Sequence, residues 1–164
     1  MTPSTPDQLR DLARRLRESM QEFTLLDDTG HIPDPPPHSD LLHHLSATHQ
    51  HLLDSLALAR AETTAGDLDR PPGTRERLAL AASHALAASF LFGHALHKIL
   101  THPHLKPHEA AVTLDHASAR AELRRCAETL EGTAALLEEH ESLREFIASM
   151  RPPGRPEQRP GPTR

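Results

Sequence analysis

The prolines of this chain fall in clusters, and the clusters decide what it can become. Of fifteen in 164 residues, all but Pro3 and Pro6 lie between Pro33 and Pro37, at Pro71 and Pro72, at Pro103 and Pro107, or beyond Met150. Proline removes a backbone donor and clashes with the preceding turn, so each cluster breaks a helix. Between the breaks lie a short N-terminal stretch and three long ones. In each, leucine and alanine recur at steps of three and four, the period of an amphipathic helix. Aromatic residues make up only 2% of the chain, which disfavours a sheet. The expected fold is all-α: an up-down bundle of three long antiparallel helices plus a shorter N-terminal helix.

The expected organisation follows the same breaks. Residues 1–30 form an amphipathic helix, capped by Thr5, carrying Leu9, Leu12, Leu16, Met20 and Phe23 on one face, and ended by Gly30. Residues 31–38 are a stiff Pro-rich connector. Residues 39–150 are the bundle core. Helix two runs from a Ser39 cap to about Ala65, with Gly66 as its stop and a seam of Leu42, Leu45, His49, Leu52 and Leu56 widened by Leu41 and Leu53. Helix three, from Thr74 to Thr101, is the most apolar and the expected centre. Its Gly93 suggests close approach of another backbone. Helix four starts at Pro107, with Val112, His116, Ala119, Leu123, Cys126 and Leu130 as its seam. Residues 151–164 hold five Pro, two Gly and four Arg and read as a disordered basic tail.

Fourteen histidines stand out, eleven of them between His43 and His116. Three origins compete. Asn, Tyr and Trp are absent and Lys and Ile are scarce, as in a high-GC bacterial genome, where His is a common polar residue. The histidines can also make the surface pH-sensitive: the net charge of −5 counts them as neutral, and protonating all fourteen reverses its sign. Or they form a site. His97 lies about seven residues before the turn between helices three and four, and His116 about eleven after it, a height difference of roughly 6 Å. Traced from the other turn, His43 and His44 reach the same end of the bundle. His43, His44, His94, His97 and His116 are therefore the candidate metal or haem ligands, with Asp40 and Asp115 as carboxylate neighbours. His49 is expected to be buried apart from them. The Glu-x-x-His pairs of diiron bundles and the His-x-x-x-Glu of hemerythrin-like domains do not occur.

Other chemistry is thinly marked. Arg77 and His84 lie two helical turns apart, a spacing that resembles the Arg-x4–6-His pattern of HEPN-type ribonucleases; the resemblance implies an RNA-cleaving pair. There is no Gly-x-Ser-x-Gly elbow and no Gly-rich phosphate loop. The lone Cys126 excludes an intramolecular disulfide and reads as a small core residue.

The mild negative charge argues against a nucleic-acid partner. No uninterrupted apolar run reaches a membrane span, and Arg10, Arg14, Arg15 and Arg17 interrupt any leader-like core, so a cytoplasmic protein without a membrane partner is expected. Helix four outlasts its neighbours and ends in Leu143, Phe146 and Ile147, which should pack on helix one or on a second subunit. The functional expectation is a non-enzymatic bundle acting through protein–protein contact, self-associating through helix one and the end of helix four. The alternative is a histidine-ligated metal or haem protein.

Overall fold

The computed structural model describes residues 4–64, 70–102 and 106–150. The helix stop at Gly66, the break at Pro103 and the tail from Arg151 lie outside the described residues. Among those described, four α-helices follow in order: α1 (Thr5–Glu22), α2 (His38–Thr64), α3 (Thr74–Thr101) and α4 (Glu109–Ser149), the last entered through a 3-10 turn at Lys106–His108. The fold is the expected all-α bundle. Arg10 and Arg17 pair with Glu138 and Glu131, so α1 runs antiparallel to α4. Arg15 reaches Asp54 at 2.8 Å, His49 reaches Ser89 at 3.0 Å, and His84 reaches Glu122 at 2.7 Å. With the second contacts Ser19–His51, Leu45–Gly93 and His94–Asp115, each helix is antiparallel to those before and after it, and α1 closes the ring against α4.

α1 joins the same core as the long helices. Leu9, Leu12 and Leu16 are fully buried together with Leu123, Leu130 and Leu137 of α4. Its cap is Ser4, one residue before the expected Thr5. The Ser4 hydroxyl accepts from the Asp7 backbone N–H and donates to the Asp7 carboxylate, and Pro6 fits within the first turn. The helix also ends earlier than expected, at Glu22 rather than Gly30. Phe23 and Leu25 are both buried, and two residues on a helix point about 200° apart, so the chain must leave the helix to bury both. Gly30 keeps its left-handed role, with φ +82°, in a turn that Asp27 organises by accepting from Thr29 and His31.

α2 is rotated from its expected seam. Leu41, His44, Thr48, His51, Leu52 and Ser55 face inward, while Leu42, Leu53 and Leu56 are 48–55% exposed. The inward hydroxyls satisfy themselves on their own helix: Thr48 donates to the His44 carbonyl at 2.7 Å and Ser55 to the His51 carbonyl at 2.8 Å. A Ser or Thr so bonded enters a core at little cost.

α3 is central, as expected, but only one side of it is buried. Ala81, Ala85, Ala88, Phe92 and Ala95 face α2 and α4, while Leu86 and Phe90 face outward. Counted by average apolarity rather than by uninterrupted run, α3 is long and apolar enough to cross a membrane, and 44% of that stretch is buried within the bundle. Gly93 meets no other backbone; a Cβ there would touch only Leu45 Cδ1, at 4.0 Å.

Along α4 the expected seam from Val112 to Leu130 is buried and continues to Leu137. From Glu141 to Met150 every residue is exposed. Leu143, Phe146 and Ile147 therefore do not pack on α1, because α4 runs beyond the level at which α1 begins.

Candidate functional site

Two of the five candidate histidines meet. His44 from α2 and His116 from α4 are 3–4% exposed, with ring centroids 5.5 Å apart. Phe23 lies 4.2 Å from the His44 ring, and Phe92 lies 5.8 Å from His44 and 5.3 Å from His116. Phe23, the residue that caps α1, closes one side of this box. His44 Nδ1 and His116 Nε2 have no hydrogen-bond partner. Burial pushes both imidazoles down from 6.5 to about 4, and each is further lowered by a cationic neighbour in Arg120. The pair is therefore neutral near pH 7.

The remaining three lie outside the box, though His43 borders it with its ring centroid 6.3 Å from that of His44. His43 is exposed, at the edge of Phe23 with centroids 6.4 Å apart. His94 is 44% exposed and turned to Asp115 at 3.0 Å, a carboxylate that Lys98 also contacts at 2.8 Å. His97 is exposed on α3. Their angular positions on the helices divide the five. Among the described residues, no group of three or more His, Cys, Asp or Glu side chains is placed to hold a metal ion. His49, expected to be buried, is exposed and bonds Ser89.

A buried histidine escaped the sequence reading. His51 is 6% exposed; its Nε2 lies 2.9 Å from the Ser19 hydroxyl of α1, and its Nδ1 has no partner. The signal was the row His44, Thr48, His51 and Ser55 at helical spacing, a polar stripe that reads as a solvent face unless the hydroxyls bond back to their own helix.

Arg77 and His84 line one shallow groove with Arg125 and Thr129. His84 Nδ1 is held by Glu122, whose other oxygen binds Arg125. Cys126 is fully buried and its thiol is pushed up to about 11 by burial, which leaves it un-ionised and inert. At the end of the bundle a cavity of about 830 Å³ lies between the Pro-rich connector and the α3–α4 turn, with Ile32 and Ile99 among its walls and His31, His102 and Lys106 among its polar groups. Glu109 closes part of it by accepting from the Ile32 backbone N–H at 2.9 Å.

Among the described residues, exposed apolar side chains gather in two places. One is the α2–α3 seam, with Leu53, Leu86 and Phe90; the other is the end of α4, with Leu143, Phe146 and Ile147. The apolar stripe of α1, expected to serve self-association, is covered by α2 and α4 of its own chain. No protein-family model, no curated protein and no solved structure matches this chain.

Proposed function

We propose that this chain is a non-enzymatic helical-bundle protein that acts through protein–protein contact and self-associates. One observation carries the reading: Leu53, Leu86, Phe90, Leu143, Phe146 and Ile147 are each 54–71% exposed on a single chain. Isolated exposed leucines are ordinary, but contiguous apolar areas of this kind mark contact surfaces. The mass of the full chain in solution, measured by light scattering over a concentration series at near-neutral pH, tests it. Assembly beyond one chain is expected. A folded monomer at every concentration would remove the self-association.

A second reading, a histidine-ligated metal or haem centre, is favoured by the unpartnered Nδ1 of His44 and Nε2 of His116. Two imidazoles in an aromatic box lack the third and fourth ligands of a closed zinc site. Metal analysis of protein purified without a tag decides it: stoichiometric zinc or iron, or a thermal shift on adding either or haem, would replace the first reading.

A further inference from the structure

We infer that the outer seam of α2 and α3 joins two copies of this chain about a two-fold axis. The inference rests on the reading of the chain as a self-associating bundle and assigns the surface that does it.

The seam is one continuous face. The contact of His49 with Ser89 at 3.0 Å and the nearness of Leu45 to Gly93 fix the antiparallel register of the two helices. This register sets Leu53 near the level of Leu86. Leu42 and Leu56 extend the face along α2, and Phe90 and Leu100 extend it along α3, all 48–71% exposed. Each sits on the flank of its helix just outside the α2–α3 contact. The leucines that departed from the expected seam of α2 are the ones that line this face.

The chemistry of the face selects its occupant. From residue 41 to 53 on α2 and from 78 to 97 on α3 there is no Asp, Glu, Lys or Arg. A nucleic acid needs cations on the surface it meets, and a highly charged protein needs opposite charges there. Neither is offered. Contacts between identical subunits are depleted of charge at their centre in this way. Crossing a membrane would require α3 to abandon Ala81, Ala85, Ala88 and Phe92, which it buries within the bundle.

Size and shape agree. Six half-exposed or more exposed side chains offer on the order of 600 Å² of apolar surface per copy, before any rim is counted. A standard interface buries about 800 Å² per partner. Two-fold contacts are self-complementary, with the same patch on both sides. An axis passing near Leu86 lays α3 antiparallel against α3 of the second copy. Phe90, the most exposed of the six at 71%, then sits over the exposed small side chain of Ser83 in the other copy, one turn beyond the axis. Stacking on His94, with ring centroids 6.0 Å apart, orients Phe90 and leaves its other face open.

The test uses the full chain and three variants, followed by sedimentation equilibrium with helix content checked by circular dichroism. The wild type is expected to be a dimer. Phe90→Glu should weaken dimerisation by about thirty-fold or more, as loss of a central aromatic anchor does. Leu114→Glu, 66% exposed on α4 away from the seam, should leave it unchanged. Leu86→Cys, a small change near the axis, should form an intermolecular disulfide on mild oxidation; Cys126 is fully buried and does not compete. This variant gives an answer even if Phe90→Glu fails to fold. A dimer that survives Phe90→Glu with no Leu86→Cys cross-link overturns the inference, as does a dimer lost only in Leu114→Glu, and in both cases self-association itself stands. A monomer at all concentrations overturns both, as does a monomer that binds phosphatidylglycerol vesicles through Phe90.

Discussion

The imidazoles of His44 and His116 lie 5.5 Å apart between centroids, both against Phe92, and each has one ring nitrogen without a hydrogen bond. An aromatic box of this kind tolerates neutral imidazole and resists a charged one, because nothing in it can solvate a second proton. Asp40 partly offsets this for His44, while His43 and Arg120 act against it. The pair therefore couples the stability of the bundle to pH.

The direction follows from the shift. Both folded values lie at about 4, below the usual 6.5, so the unfolded chain takes up protons first as pH falls. The contribution is complete above 6.5 and is lost as pH drops through that value toward 4. Between about pH 8 and pH 5 each histidine should cost about 2 kcal/mol of stability. Urea unfolding at the two pH values measures it, and His116→Leu should flatten the dependence. A midpoint that does not move with pH would refute a buried neutral pair.

Phe92 touches both rings and Phe23, whose centroid is 5.4 Å away, and it is fully buried. Phe92→Ala should destabilise the fold by about 3–5 kcal/mol. Phe90→Ala, two residues along the same helix but 71% exposed, should change the stability of the isolated bundle by less than about 1 kcal/mol. Equal losses in thermal or urea unfolding would mean that the two rings do not face opposite ways.

Ser19 holds the one bonded nitrogen of His51. Ser19→Ala leaves that buried ring with no partner and should cost about 1–3 kcal/mol. Adding His51→Leu to Ser19→Ala should recover much of the loss, since removing both polar partners removes the unsatisfied group. A double-mutant cycle in urea measures the coupling; simple additivity would show that the bond contributes nothing.

Two glycines should respond in opposite directions. Gly93 is in mid-helix, and an added Cβ would meet only Leu45 Cδ1 at 4.0 Å, so Gly93→Ala should stabilise by about 0.5–1 kcal/mol. Gly73 caps α3 at φ +83°, where a side chain is strained whatever the space, so Gly73→Ala should destabilise by about 1 kcal/mol. Thermal midpoints of the two variants that shift the same way would contradict this.

α4 was legible in the sequence because its seam from Val112 to Leu130 is apolar and its outer face is charged. α2 was not, because hydrophobicity marks the wrong side of it. Leu42, Leu53 and Leu56 outweigh Thr48 and Ser55 in any count of apolar residues, yet the hydroxyls bond their own backbone and go inside. The same rotation hid His51 and moved His49 to the surface. For the candidate site, axial height along the helices was readable from chain length. Angular position was not, because it depends on which neighbours each helix packs against. That is why His44 and His116 meet while His94 and His97 turn to other surroundings. The end of α1 was misplaced for a related reason: Gly30 is a plausible stop, but the joint burial of Phe23 and Leu25 ended the helix first.

The pairing of α1 with α4 has a consequence for synthesis on the ribosome. Arg10 and Arg17 find their partners 128 and 114 residues later. At about 5–20 residues per second, the first helix emerges on the order of ten seconds before the segment that covers it. Until then α2 alone can cover part of the stripe of Leu9, Leu12 and Leu16. The nascent chain therefore exposes an amphipathic helix available to chaperones or to neighbouring chains, and only the arrival of α4 retires it.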